Sequence, residues 1–253
     1  MSARVLVTGA GAGIGRAIAE AFLATGARVA ICDVDAAALD GMRLKHPDLI
    51  TELADVSHSA DLTRLLDQAT TKWGGLDVLV NNAGIGGPCA LIEEADANEW
   101  QKCIDVNLTG AFMAMKLAIP AMKAQHSGCI INISTSSART GLPSRGAYVA
   151  SKAGLIALSH NTAREVGAWN IRCNAILPGL IDNPRGRALI DQFANERNVP
   201  LKQAEETFLS FVSMRTMIHP TEIAALCMFL ASDGARHISG QAIGVDGNME
   251  WEG

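Results

Sequence analysis

Tyr148 and Lys152 stand four residues apart in Tyr148-Val149-Ala150-Ser151-Lys152, and Tyr148 is the single tyrosine of the chain. On a helix this spacing puts both side chains on one face, with the ammonium beneath the phenol. A free phenol ionises near pH 10 and is a poor base at neutrality. A cation about 4 Å away contributes about 4 kcal/mol at an effective dielectric near 20, which favours the phenolate. Such a pair can take a proton from an alcohol or return one to a carbonyl oxygen. Taken singly, each residue has an ordinary alternative, an aromatic at the core rim and a solvated helix-face lysine.

A second group of residues points to a bound dinucleotide. Thr8-Gly9-Ala10-Gly11-Ala12-Gly13-Ile14-Gly15 follows an apolar strand segment and opens a helical one. Glycines let the chain turn tightly and bring backbone N–H groups close to a pyrophosphate, and the helix N-terminus adds partial positive charge. Asp33 ends the second strand segment, where a carboxylate accepts hydrogen bonds from an adenosine ribose and repels a 2′-phosphate. No Arg or Lys stands beside it, and none occupies position 10 or 12. The expected cofactor is NAD rather than NADP.

The elements that must position these groups follow from the hydrophobic rhythm. Strands are expected at Arg4–Val7, Arg28–Cys32, Leu49–Ala54, Val78–Val80, Cys129–Ile133, Arg172–Ile176 and Ala242–Val245. Helical periodicity covers Ile14–Thr25, Ser59–Trp73, Asn98–Ala121 and Tyr148–Val166. Asp96 with Glu99 reads as a capping box, and Pro220-Thr221-Glu222 opens the last helix. Apolar strands alternating with helices imply an α/β fold, a doubly wound parallel sheet of seven strands with helices on both faces. With no linker or repeat, residues 1–253 read as one domain. The interval from Leu180 to Met217 breaks the rhythm. Its Leu189/Ile190/Phe193 and Phe208/Leu209/Val212 groupings suggest two short amphipathic helices, a lid at about 182–217.

Composition narrows the classes. Of 253 residues 49% are hydrophobic and 19% charged, which excludes a disordered chain. A net charge of −5 without runs of like charge argues against a nucleic-acid or anionic-membrane partner. The longest purely apolar run, Ile223 to Ala231, is too short to span a bilayer. Cys32, Cys89, Cys103, Cys129, Cys173 and Cys227 lie far apart and read as buried thiols in a reducing compartment, so a cytoplasmic protein is expected. No metal-ligand cluster is visible.

Taken together, the motifs resemble the short-chain dehydrogenase/reductase family, single-domain type, over nearly the whole chain. Thr8 to Gly15 is similar to its glycine motif, Ala54-Asp55-Val56 to its adenine-contacting element, and Asn81-Asn82-Ala83-Gly84 to its Asn-Asn-Ala-Gly element. Asp105-Val106-Asn107-Leu108 matches the segment carrying the active-site Asn, and Tyr148 to Lys152 the Tyr-x-x-x-Lys signature. Pro178-Gly179 matches the pair after the sixth strand. The resemblance implies a catalytic set of Asn107, Thr135, Tyr148 and Lys152, with Asn107 holding a relay water. It implies a cofactor site of Gly9, Ala12, Gly13, Ile14, Gly15, Asp33, Val34, Asp55, Val56, Asn82, Ala83, Gly84, Tyr148, Lys152, Pro178, Gly179 and Ile181. For Asn81 and Asn82, satisfying backbone groups at a strand end is an equally good reading.

Two departures from the family pattern stand out. The family's serine falls thirteen residues before Tyr148, where this chain has Thr135 between Ser134 and Ser136. Threonine keeps the hydroxyl but is stiffer; either serine could substitute if the loop shifts by one. Where the family often has a threonine contacting the nicotinamide carboxamide, this chain has Asn183 before Pro184, which leaves the Ile181 backbone as the favoured partner.

The leading expectation is an NAD-dependent oxidoreductase interconverting a secondary alcohol and a ketone on a small polar metabolite, a polyol, sugar, sugar acid or hydroxy acid. A 3-oxoacyl thioester reductase is the alternative within the family. A non-catalytic dinucleotide sensor or scaffold, favoured only by Thr135, is the alternative of another class. A sugar-nucleotide epimerase would need a larger C-terminal region. Arg139, Arg145, Arg185 and Arg187 flank the expected pocket and suit an anionic substrate, although surface charges are the blander reading. The resemblance implies a homodimer or homotetramer, joined through the helices starting near Asn98 and Tyr148 and through residues 240–247.

Overall fold

Residues such as Val5, Val7 and Leu6 alternate between two apolar surroundings, so the strands they form have no face to give to water. The computed structural model describes residues 2–250; the first residue and last three of the expected 1–253 domain lie outside the described residues. In chain order the elements are β1 (Arg4–Thr8), α1 (Gly13–Ala24), β2 (Arg28–Asp33), α2 (Ala36–Lys45), β3 (Ile50–Leu53), α3 (Ser59–Trp73) and β4 (Val78–Asn81). Then come α4 (Ala97–Ile104), α5 (Gly110–Ala124), β5 (Gly128–Ile133), α6 (Ser137–Thr140), α7 (Gly146–Val166) and β6 (Ile171–Pro178). The last are α8 (Pro184–Arg197), α9 (Leu201–Ser210), α10 (Pro220–Ala231) and β7 (Ala242–Val245). Among the described residues the seven strands form one parallel sheet, in the order β3-β2-β1-β4-β5-β6-β7.

Val5, Val7 and Ile31 pack with Ile18 and Phe22 of α1 and with Ile223 and Cys227 of α10 on one face. Leu6, Leu79 and Ile130 pack with Leu62 and Leu65 of α3 and Ala114 and Met122 of α5 on the other. The N-terminal ends of the central strands β1 and β4 are zipped by Arg4, whose guanidinium grips Asp77 with Nε–Oδ2 at 2.9 Å and Nη2–Oδ1 at 2.5 Å. The Arg4 N–H donates to the same carboxylate at 2.8 Å. Each expected strand is found, with ends displaced by at most two residues.

The single helix expected over Asn98–Ala121 is instead two, α4 and α5, joined by a π-helical turn at Asp105–Thr109. The Gly110 N–H reaches the Asp105 carbonyl, one residue beyond the α-helical partner. Gly110 there lies against β3's exit, since a Cβ on it would stand 2.8 Å from the Val56 carbonyl oxygen. The run Ala97–Ala124 is long and apolar enough to cross a membrane by length and composition alone. Its Ala111, Ala114, Ala118 and Met122 are buried in this fold, as in the core helix of an α/β protein. Asp96 does cap α4, accepting from the Asn98 and Glu99 N–H groups at 2.9 Å. The capping box at α10 uses His219 with Glu222.

After β6 the chain forms α8 and α9 with a small apolar cluster of their own, Leu180, Ile190, Ala194, Ala204, Val212 and Met249. The Phe193 and Phe208 rings meet edge to face at 5.3 Å. Val212 falls just beyond α9 and bridges to Met249. Five cysteines are buried as expected; Cys89 is not, because it sits on the exposed loop after β4.

Candidate active site

The strand order reverses direction at β1 and β4, and the crevice at their C-terminal ends is where such sheets receive ligands. Two loops meet there and are laced together. Thr8 Oγ1 accepts the Asn82 and Ala83 N–H groups at 3.0 and 3.1 Å. Asn82 Nδ2 donates to the Thr8 and Gly9 carbonyls at 2.9 and 2.7 Å. Gly9 has φ 61°, and a Cβ on it would stand 2.7 Å from Ala83 Cα. On Gly15 a Cβ would collide with the Gly9 carbonyl oxygen and with Asn82 Nδ2. Only glycine fits either place. From Ala12, the extended N-cap residue, α1 starts with neither a capping side chain nor an acid in its first turn. Its first N–H groups, from Gly13 and Ile14 onward, are left for an anion.

Asp33 closes this cradle from β2. Its Oδ2 accepts the Gly11 N–H at 2.8 Å and its Oδ1 the Asp35 N–H at 3.1 Å. The carboxylate is therefore fixed at the loop's rim beside the exposed Val34, with lone pairs left over. Asp55 stands at the end of the neighbouring strand, its Oδ1 held by the Ser57 N–H and hydroxyl at 2.9 and 2.7 Å. Val56, which follows it, is buried. These groups fit the pyrophosphate and adenosine ends of a dinucleotide.

Further along the same edge, a buried polar ladder sets α7 against β5. Asn81 Nδ2 donates to Asn132 Oδ1 at 2.8 Å, and Asn132 Nδ2 to Ser159 Oγ at 2.8 Å. Asn81 thus serves the sheet. Ser134 Oγ donates to the Lys152 carbonyl at 2.8 Å. Lys152 is 4% exposed, and its Nζ donates to the Ile133 carbonyl at 2.7 Å. Burial brings its pKa down from the usual lysine value to about 8, and the Arg185 charge adds to the effect. Tyr148, one turn earlier on α7, is half-buried.

Asn107 comes in from the π turn. Its Oδ1 accepts the Ile85 N–H at 2.8 Å, while its Nδ2 donates to the Ile85 carbonyl at 2.9 Å and to Ser151 Oγ at 3.0 Å. It also lies 3.2 Å from Cys103 Sγ. Lys152 and Asn107 converge over Gly84, where a Cβ would sit 3.1 Å from Lys152 Nζ and 3.2 Å from Asn107 Oδ1. The clamp on Ile85 was invisible in the sequence because it uses only backbone atoms of that residue. Ile85 and Ser151 thus join the site's framework.

Among the three hydroxyls before α6, the surroundings discriminate. Those of Ser134 and Ser136 donate to the Lys152 and Pro178 carbonyls, the second at 3.3 Å. Thr135 Oγ1 only accepts, from the Ser137 N–H at 3.4 Å, and keeps its proton to give away. Beyond β6, the Gly179 N–H donates to the Val245 carbonyl at 3.0 Å, and a Cβ on it would stand 2.7 Å from Asp246 Cα. The Ile181 carbonyl accepts the Asn183 N–H at 3.0 Å. Asn183 caps α8, its Oδ1 accepting the Gly186 N–H at 2.8 Å, and its Nδ2 faces Gly13, 3.7 Å from where a Cβ would be. Asn183 therefore has an amide directed at the glycine loop.

Comparison with known proteins agrees with this geometry. A family model described as enoyl-(acyl carrier protein) reductase matches residues 9–250. A 3-oxoacyl-acyl-carrier-protein reductase of Thermotoga maritima is 34% identical over 249 residues, 96% of each chain. A D-beta-hydroxybutyrate dehydrogenase of Cupriavidus necator is 34% identical over 252 residues, covering 96% of this chain and 95% of that one. Among solved structures, an NAD+-bound xylitol dehydrogenase superposes with a TM-score of 0.89 at 28% identity, covering 96% of this chain and 97% of that one. An actinorhodin polyketide ketoreductase with NADPH gives 0.92 at 27% identity, covering 97% and 96%. The chain belongs to the short-chain dehydrogenase/reductase family. It is an oxidoreductase built on a dinucleotide-binding Rossmann-like fold.

Proposed function

We propose that the protein interconverts a secondary alcohol and a ketone on a small polar metabolite, with NAD as cofactor and Tyr148 as general acid and base. The observation that carries this reading is the meeting of Lys152 Nζ and Asn107 Oδ1 over Gly84, one helical turn from Tyr148. A nicotinamide bound along the crevice supplies the hydride acceptor or donor. Tyr148 takes the alcohol proton during oxidation and returns it during reduction. Thr135 donates to the substrate oxygen. The second lone pair of Asn107 Oδ1 and the free Lys152 N–H groups hold the relay water. The Ile181 backbone receives the carboxamide end of the cofactor.

NAD is favoured by Asp33, which brings a fixed negative charge to the adenosine end with no basic residue next to it. Within this reading the lid is the α8–α9 segment over the C-terminal edge of one 1–253 domain, and the protein works in the cytoplasm. It assembles as a homodimer or homotetramer. Phe112, 45% exposed, borders a shallow hollow of about 460 Å³ with Leu108, Gly154 and Leu158 on the helices expected to meet.

A second reading, reduction of a 3-oxoacyl thioester, is favoured by the 34% identity to the acyl-carrier-protein reductase. One experiment separates the two. NADH or NADPH production and consumption are followed with polyols, sugars, sugar acids, hydroxy acids and a 3-oxoacyl thioester, for wild type and Tyr148→Phe. The proposal expects NAD-dependent turnover of a polar alcohol that falls about a hundredfold to ten-thousandfold in Tyr148→Phe. Turnover only of the thioester with NADPH would replace it with the second reading.

A further inference from the structure

Four arginines border the site, and the structure sorts them by partner. Arg187 is paired with Asp182 at 2.7 Å and Glu205 at 4.0 Å, and Arg139 donates to the Ala242 carbonyl at 2.6 Å. Arg145 and Arg185 have no carboxylate within 4.0 Å among the described residues. Their only hydrogen bonds from the guanidinium are long ones to carbonyls, Arg145 to Gly87 and Arg185 to Gly84, both at 3.4 Å. Yet the two come together: a Cβ on Gly86 would stand 3.1 Å from Arg185 Nη2 and 3.3 Å from Arg145 Nη1.

The fold itself gains nothing from this meeting, since two uncompensated cations repel. Each is nonetheless held in place. Arg145 is bridged to Ala90, whose N–H donates to the Ser144 carbonyl at 3.0 Å. Arg185 is the second residue of α8, at the helix end where a cation is disfavoured and an anion favoured. Planar guanidinium groups recognise a carboxylate through paired N–H donors, and two of them enclose it.

Position supplies the rest. Gly86 lies two residues from Gly84, where Lys152 and Asn107 converge, so the two spots are at most about 7 Å apart along the chain. The charge of Arg185 is felt at Lys152, where it acts with burial. The site therefore offers a proton-transfer centre and an unneutralised cationic pair within the length of one small molecule.

We propose that Arg145 and Arg185 together bind the carboxylate of the substrate, which is a short hydroxy acid or the corresponding oxo acid. This rests on the reading of Tyr148 as the acid/base of an alcohol oxidation. About one to three carbons separate the carboxylate from the reacting carbon, given the span between Gly84 and Gly86. The step balances without further reactants: the carbinol C–H leaves as hydride to NAD, the O–H proton passes to Tyr148, and the carboxylate is unchanged. The products are the oxo acid, NADH and a proton.

The test compares 3-hydroxybutyrate, 4-hydroxypentanoate and 5-hydroxyhexanoate, secondary alcohols with one, two and three carbons before the carboxylate, with their neutral amides, using the NAD-loaded enzyme. Wild type is expected to favour at least one acid over its amide by about tenfold to a hundredfold in kcat/KM. In Arg145→Met or Arg185→Met that acid-to-amide ratio should drop at least tenfold, mainly through KM. A ratio near one in wild type, or one unmoved by both substitutions, overturns the proposal. Calorimetry of butyrate and butyramide binding to the enzyme–NAD complex tests the anion site without turnover. Butyrate binding no more tightly than butyramide overturns the proposal, and tighter binding abolished by the double substitution supports it. If Tyr148→Phe turns over like wild type while butyrate binding still needs both arginines, the acid/base reading fails and the anion site stands.

Discussion

Lys152 Nζ donates to the carbonyl of Ile133 at 2.7 Å, from a position 4% exposed, with its pKa brought down to about 8 mainly by burial. In the unfolded chain the same ammonium would titrate near 10.5. Between these values the unfolded state binds the additional proton, so stability rises with pH from about 8 to about 10.5. Below pH 8 the charge is present in both states and costs the fold about 3 kcal/mol. Lys152→Met should therefore abolish oxidation yet raise the free energy of unfolding at pH 7. Denaturant titrations at pH 7 and 10 check both, because the difference between the proteins should narrow at the higher pH.

Thr135 and Ser134 are adjacent, yet their hydroxyls face different tasks. Thr135→Val should lower kcat about a hundredfold with little change in Tm, since its proton is given to no protein group. Thr135→Ser should keep activity. Ser134→Ala removes the bond to the Lys152 carbonyl and should cost about 1 kcal/mol of stability, readable in a melting curve. Equal losses of kcat in Thr135→Val and Ser134→Ala would show that the hydroxyl of Thr135 has no special part.

Gly84→Ala places a methyl group 3.1 Å from Lys152 Nζ and 3.2 Å from Asn107 Oδ1. No backbone strain is involved, because Gly84 does not have a positive φ. The variant should fold with a Tm close to wild type while kcat falls at least tenfold. Steady-state kinetics beside a melting curve distinguish this from general damage. Unaltered kcat would mean that the space over Gly84 plays no part in proton movement.

At the N-terminal end of the strands, Asp77 is subject to burial that would raise its pKa, but the hydrogen bonds and charge of Arg4 outweigh it and hold the carboxyl below its usual range. A depressed carboxyl contributes stability above its unfolded pKa and loses it as pH falls through the folded one. With its side chain 33% exposed, the pair is partly screened. Asp77→Asn should cost about 1 kcal/mol at pH 7, and the gap to wild type should close below about pH 4. A urea titration series over pH 3–7 would show it, while kcat stays near wild type.

Much of this architecture is legible in the chain because parallel strands buried on both faces must be apolar throughout, as Val78 to Val80 and Cys129 to Ile131 are. The glycine loop is legible because Gly9 and Gly15 are demanded by contacts between backbones. The break at Asp105–Thr109 is not, since its residues continue the helical rhythm and only the clamp of Asn107 on Ile85 reveals it. Nor could the arginines be sorted by sequence. Arg187 differs from Arg185 only in which groups the fold brings opposite, and Asp182 and Glu205 neutralise one and not the other.

The π turn has a consequence for what this stretch tolerates. Each α-helical residue advances about 100° around the axis. A surplus residue at Asp105–Thr109 therefore fixes the rotational phase between the half of the helix that addresses Ile85 and the half that packs under the sheet. Deleting one residue there would yield a smoother and better-bonded helix, with one half turned by more than a quarter of a circle. In this segment the number of residues carries information that their identities do not, and a single-residue deletion would be silent to helix content while unmaking the site.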